Sequence, residues 1–443
     1  MRGRVGLAEA RTAQAGLVRR TRVHPFSAPS TSIMPLPLPI EIVECILDLA
    51  GAFPDLSVYL SPPYSLYSTD HDLPLTAIKL SANSLFSLAL VCKQWNTICT
   101  PRLYRCLPIV DDTAVDALLR TLEQSQITAA VSGSDMPFGS LTRHLIVALS
   151  DDSSVNDNES EGFERRIVRR FGNLGRLARC LTHLEILSIS IFLQDMWGLP
   201  LPYYGKDFAA TVTQTCAPSL LKLHLHHEAL VLFSRRELRN LLESSPNLTT
   251  ITGPGVGDCI GCPVTLPYIP KLKYLAVNSK GLCDHIGHED DRTPLLDHIH
   301  IRQVLLSNHW VHLLSVQGAR LTSVSLDLRL GLNCSEYLSK FAKFCPNLSY
   351  LEICIDDWVD FPRLESLPPV ERFGIHVHEA RNSCVDLICK TIATIQSPSL
   401  KVIQLMSPGM FEWFASSDSV KSAWSPHAFR VVDCDGRELG PPE

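Results

Sequence analysis

No run of apolar residues in this 443-residue chain approaches the roughly 18 that a membrane-spanning helix needs. The chain also has no basic excess. Its formal charge is −6 and its pI about 6.2, so a general phosphate-binding surface, which needs a basic face, is not expected. No G-x-S-x-G nucleophile elbow occurs. The glycine-rich stretch GPGVGDCIG satisfies neither G-x-G-x-x-G nor G-x-x-x-x-G-K, and no lysine follows it. No carboxylate pair stands out. No specific motif therefore supports an enzyme active site, and the reading is of a non-enzyme that needs no cofactor, touches no nucleic acid and spans no membrane. Secretory features are missing as well. The 15 cysteines are scattered, odd in number and preceded by no signal sequence, which reads as reduced thiols in a cytoplasmic or nuclear protein, many of them small core residues. Sequons at Asn247 and Asn347 would then be chance matches.

What is present begins with a basic leader. Residues 1–33 carry six arginines against the single acid Glu9. An arginine-rich, acid-poor leader resembles a mitochondrial transit peptide. A disordered tail, or sequence upstream of a start at Met34, fits as well.

Residues 35–49, PLPLPIEIVECILDL, then set three prolines before a short helix with an apolar face. Pro39 can open that helix because its first position needs no N–H. Ile42, Ile46 and Leu49 share one face, and Gly51 stops the run. Such a face needs a partner, in this chain or another. A Pro- and Tyr-rich insert, read as a loop over 55–80, comes next. A second helix follows in SANSLFSLALVCKQWNTICTPRLY, capped by Asn83 or Ser84, with Leu85, Leu88, Cys92, Trp95 and Cys99 at helical spacing and Leu90 and Val91 beside them.

The pair LPIEIVECILDL and SLFSLALVCKQWNTI resembles an F-box, whose pattern is Leu-Pro-x-Glu, a short apolar helix, then L..LVC+.W. Matching positions are Leu38, Pro39, Glu41, Ile42, Ile46, Leu49, Leu88, Leu90, Val91, Cys92, Lys93 and Trp95. The resemblance covers about 35 residues, is split by a long insert, and rests chiefly on LVCKQW. It implies a module over 34–107 that docks the Skp-type adaptor of a cullin-based ubiquitin ligase. Leu38, Pro39, Ile42, Ile46, Leu49, Leu88, Val91, Cys92 and Trp95 would be the adaptor-binding residues.

The remainder is repetitive. Leu-x-x-Leu-x-Leu units start at 184, 220, 248, 272, 296, 321, 348, 370 and 400, close to a leucine-rich-repeat period of roughly 20–29 residues. Gly253 breaks the third position of the unit at 248. Proline lies two residues before the first leucine in several units, ending one helix and opening the turn into a strand. SRRELRNLLESSPNL carries a capping box on Ser234 and Glu237. CSEYLSKFAKFCPNL puts Leu338, Phe341 and Cys345 on one face, and RNSCVDLICKTIATI does likewise with Val385, Ile388 and Ile392. The expected fold is α/β, a short helical N-terminal module followed by a curved solenoid of strand-plus-helix repeats.

Expected boundaries are 1–33 leader, 34–107 F-box-like module, 108–180 linker and degenerate first repeat around Leu145 and Val147 with a disordered acidic loop at 150–162, 181–423 repeats, and 424–443 closing strand and tail. An F-box joined to such repeats implies a substrate receptor, with the repeat face holding an unidentified target protein. Lys222, His224, Lys273, Ala276, Ser323, Ser325, Ser349 and Glu352 are expected to point out from that face.

Two other readings remain. One is a repeat scaffold with no ligase, its helices merely an N-terminal cap. The other is a zinc-dependent enzyme using 258–288, where Cys259 and Cys262 precede Cys283, His285 and His288. HLHHE at 224–228 is a weak metal or catalytic candidate, more simply a polar exposed edge.

Overall fold

A computed structural model describes residues 72–133, 136–150, 160–192, 205–227, 233–253, 266–278, 292–302, 314–328, 334–355, 367–377, 399–406, 429–434 and 436–438, with 397 and 418. The chain divides into two compact units, Met1–Ile46 and Leu47–Glu443, and every described residue belongs to the second.

Two helices lead: α1 (Asp72–Ala89) and α2 (Lys93–Arg105). Twelve strands follow, and they lie side by side in strict chain order in one sheet. They are β1 (Cys106–Ile109), β2 (His144–Ser150), β3 (Ile186–Phe192), β4 (Lys222–His227), β5 (Thr250–Thr252) and β6 (Tyr274–Asn278). Then come β7 (His298–Arg302), β8 (Ser323–Asp327), β9 (Tyr350–Ile355), β10 (Arg372–Val377), β11 (Val402–Leu405) and β12 (Arg430–Asp433). Every pairing is parallel. The described connections hold α3 (Asp112–Ser132), α4 (Ser160–Cys180), α5 (Lys206–Thr215), α6 (Arg235–Glu243) and α7 (Cys334–Phe344).

The leucine pattern explains this order. In all nine units the strand begins two residues after the first apolar position: Leu184 precedes β3, Leu220 precedes β4, Val370 precedes β10, and Leu400 precedes β11. The first two apolar positions of every unit enter one continuous core, and in most units the third does too, as Leu184, Leu187 and Ile189 show at 0% exposure each. Alternation sends the residues between them to the opposite face. The unit at 248 gives the shortest of these strands, β5, which ends at Gly253. Helices add the other side of the core. Phe171, Phe208 and Phe341 are fully buried from α4, α5 and α7. The capping box on α6 forms as read, with Ser234 and Glu237 each accepting from the other's backbone N–H. Leu338, Phe341 and Cys345 are buried together as expected.

Repeats are stitched at the turn before each strand. Two successive N–H groups donate to one carbonyl of the preceding repeat: Leu221 and Lys222 to Glu185, Thr249 and Thr250 to Leu221, Lys273 and Tyr274 to Thr249. The device recurs through Lys401 and Val402 on Glu371. Side chains reinforce it, since Asn247 Nδ2 donates to the Pro218 carbonyl at 2.8 Å and Asn347 Nδ2 to that of Ala319 at 2.7 Å. Between α3 and α4, Arg170 Nε and Nη2 grip both Asp112 oxygens at 2.6 and 2.9 Å, and Arg176 pairs with Glu123 at 2.7 Å.

The structure departs from the sequence reading at several points. Residues 72–80, expected in a loop, are the first half of α1; Pro74 fits there because the first turn needs no N–H at that position. The single helix expected over 81–104 is two. It breaks at Leu90–Cys92, where Cys92 is extended (φ −161, ψ 171). Asn96 Nδ2 then donates to the freed Ala89 carbonyl at 3.3 Å. Asn83 and Ser84 are interior to α1, not caps, and Ser84 Oγ donates back to the Leu80 carbonyl. The sheet starts at Cys106, inside the segment assigned to the F-box exit, so α2 feeds β1 with no linker. Residues 112–132, expected in a linker, form α3. Leu145 and Val147 do build a strand, β2, and RVVD closes the sheet as β12.

Candidate interaction surfaces

The adaptor-binding candidates divide. Leu38, Pro39, Ile42, Ile46 and Leu49 lie outside the described residues. On α1 and α2, the inward stripe holds Leu85 and Cys99, both 0% exposed, with Ala89. Leu88 and Trp95 are half-buried, and Cys92 is exposed. Four large apolar side chains here face solvent: Leu80 and Phe86 on α1, and Leu90 (69% exposed) and Val91 (65%) in the turn between the helices. Tyr104 at the end of α2 stacks on Phe138, ring centroids 4.6 Å apart. The helix pair thus seats on the first edge of the sheet and keeps an apolar outer surface. A neighbouring open groove of about 880 Å³ runs along α3 between Ala117, Thr121, Thr128 and Phe138.

The sheet face opposite the core carries two polar rows in ladder register. The central row passes from Ser188 through His224, Thr252, Ala276, His300, Ser325 and Glu352 to Gly374. It is buried, from Ser188 at 3% to Glu352 at 3% exposure. His224, Ala276, Ser325 and Glu352 therefore do not project into solvent as the sequence reading expects. Parallel strands about 4.8 Å apart leave no room for water between side chains that pair along the row. His224 Nδ1 and Thr252 Oγ1 share a 2.6 Å hydrogen bond, so the HLHH stretch is interior at His224, not an exposed edge.

Glu352 accepts from Ser325 Oγ at 2.8 Å and more weakly from Tyr350 OH at 3.4 Å, both on Oε2; Oε1 has no hydrogen-bond partner. Burial pushes its carboxyl up to about 7, against the pull of those two donors. Gly374 is what makes room. A Cβ there would stand 2.6 Å from Tyr350 Oη and 3.1 Å from Glu352 Cγ.

The second row lies two residues earlier in each strand: Lys222, Thr250, Tyr274, His298, Ser323 and Tyr350, continuing to Arg372, Val402 and Arg430. Most of it is half-buried, and Arg372 and Arg430 are exposed. The Tyr274 and His298 rings lie with centroids 4.5 Å apart and planes tilted by 39°, and burial pushes the His298 imidazole down to about 4. Of the remaining expected face residues, Lys273 and Ser349 sit in the turns and are exposed.

Cys259, Cys262, Cys283, His285 and His288 lie outside the described residues, and among the described ones no group of three His, Cys, Asp or Glu side chains could hold a metal. Of the eight cysteines whose side chains are described, six are buried and none is bonded to another. Burial raises the Cys106 and Cys345 thiols to about 12, so they are inert core groups. No helix of the described residues is long and apolar enough to cross a membrane.

No protein family matches the chain, and no curated protein does either. Among solved structures it is similar to the leucine-rich repeat-containing protein LegL7 from Legionella pneumophila, at 14% identity and a TM-score of 0.36, over 67% of this chain and 86% of that one.

Proposed function

We propose that the chain is the substrate-binding subunit of a Skp-cullin-F-box ubiquitin ligase. The module ending in α1 and α2 docks the Skp-type adaptor, and the repeat sheet holds the target protein. The supporting observation is an exposed apolar set opposite a packed inner side: Leu80 and Phe86 on α1, and Leu90 and Val91 in the turn that leads to α2. Leu90 and Val91 fall in the LVCKQW segment that resembles an F-box, and solvent-facing apolar groups clustered in such a motif mark a docking surface. A helix pair that served only as a cap would bury them. The receptor acts without chemistry of its own: holding a target beside a charged ubiquitin carrier raises its effective concentration.

The test is a pull-down of the chain from residue 34 with a purified Skp-type adaptor. A Leu90→Glu, Val91→Glu variant should keep the wild-type melting temperature and lose adaptor binding. A folded wild-type chain that does not bind would leave the second reading, a free-standing repeat scaffold. That reading already has the stacked parallel sheet in its favour.

A further inference from the structure

The outer row from Lys222 on β4 to Arg372 on β10 crosses seven adjacent strands and contains no carboxylate. Two strands beyond lies Arg430. In a chain of net charge −6, an acid-free row with three permanent cations is a segregated charge pattern. Neither Lys222 nor Arg372 has an ion-pair partner among the described residues.

Arg430 is partly offset by Glu438 at 3.5 Å, but nearby acids do not cancel Lys222 and Arg372. In the adjoining turns, Glu185 pairs with Arg143 at 3.4 Å and Glu371 with Lys401 at 2.7 Å, and exposed Asp297 follows exposed Lys273 on the next turn. On the same face Glu352 is buried beneath the row, with its carboxyl held toward the neutral form. Between the cations stand hydrogen-bonding and aromatic groups: Thr250, the Tyr274–His298 ring pair, Ser323 and Tyr350. His298 Nε2 is buried with no hydrogen-bond partner.

We propose that this row binds an acidic, extended segment of a target protein, its carboxylate or phosphate groups meeting Lys222 at one end and Arg372 and Arg430 at the other. Charge complementarity selects the occupant: Arg and Lys donate charge-assisted hydrogen bonds to such anions, and the aromatic middle packs the backbone between them. Lys222 and Arg372 are six strand spacings apart, about 29 Å, which an extended segment of about nine residues spans.

The proposal deepens the receptor reading by naming the target's chemistry, yet its test needs no adaptor. Failure of one therefore leaves the other standing. A fluorescent nona-glutamate peptide is titrated into the full chain by anisotropy, beside nona-lysine and a nine-nucleotide single-stranded DNA. The glutamate peptide should bind, weaken as salt is raised, and lose at least about tenfold in affinity in a Lys222→Glu, Arg372→Glu variant. A Lys343→Glu, Arg236→Glu variant carries the same charge change on exposed helix positions and should bind like wild type. Equal loss in both variants would reduce the effect to net charge and overturn the row. Absence of glutamate-peptide binding, equal binding of nona-lysine, or tighter binding of the DNA would overturn it too.

Discussion

Two groups on one sheet face, the buried Glu352 and the half-buried His298, oppose each other in their response to pH. Glu352 is raised toward 7 by burial. The folded state therefore holds its proton where the unfolded chain has released it, and the associated stability is complete below about pH 4.5 and falls as pH rises to about 7. His298 is lowered to about 4 by burial. Its contribution is complete above about pH 6.5 and falls as pH drops toward 4, because the unfolded imidazole takes up a proton that the folded one refuses. Over the window between, the slopes cancel. Glu352→Gln removes one of them. Urea unfolding from pH 4.5 to 8 should show the variant gaining on wild type as pH rises, by on the order of 3 kcal/mol at the top. A constant difference across that range would mean that Glu352 does not carry the titration. His298→Phe keeps a ring against Tyr274 and should flatten the acid limb in the same experiment. None of this was legible in the sequence. The alternation places Glu352 on the face opposite the leucines, which reads as solvent. Only the register, with Ser325 on one side and Gly374 on the other, shows it enclosed.

At the level of elements, strands were legible wherever a leucine stands two residues ahead of them. The ends of the sheet were not, for a definite reason. Tyr104 occupies that place before β1 and Thr142 before β2, so the pattern loses its first letter although both side chains pack inward. The helices over 72–105 were legible as a helical stripe in their second part, but the break at Cys92 was not, since that stripe runs through it unbroken in the sequence. A second regularity sits five residues before five of the strands, β2, β4, β5, β8 and β9. Gly139, Ala217, Ser245, Gly318 and Cys345 are all small and buried there. A Cβ on Gly318 would lie 2.5 Å from the Phe344 carbonyl oxygen, and one on Gly139 2.1 Å from that of Cys180. Gly318→Ala should therefore force α7 away from its neighbour and cost roughly 1–3 kcal/mol, measured as a lowered urea midpoint. Ser234→Ala removes one half of the α6 capping box and should cost about 1 kcal/mol. If it costs nothing, Glu237 alone is holding that terminus.

For the described part of the molecule, each repeat finishes the hydrogen bonding of the one before it, so the described array should unfold as a coupled stack. Phe373→Ala in the middle of the core, at 0% exposure, should lower stability by about 3–5 kcal/mol and move the near-ultraviolet and backbone signals together. Separate transitions would instead mean that the sheet is two stacks joined at a weak unit, and the short β5 would be the place to look.

Parallel stacking in chain order leaves two strands with one unsatisfied side each. At the first edge, α1 and α2 pack beside β1. At the last, the chain turns back after β12: Val432 bridges antiparallel to Glu438, Asp433 accepts from the Arg437 backbone N–H at 2.7 Å and pairs with its guanidinium, and Arg430 reaches Glu438. Those few residues act as a stopper. A chain cut after Cys434 would present β12 as an open template, and a second molecule whose first edge was uncovered could add onto it head to tail. Because such a contact does not close on itself, growth would continue into filaments.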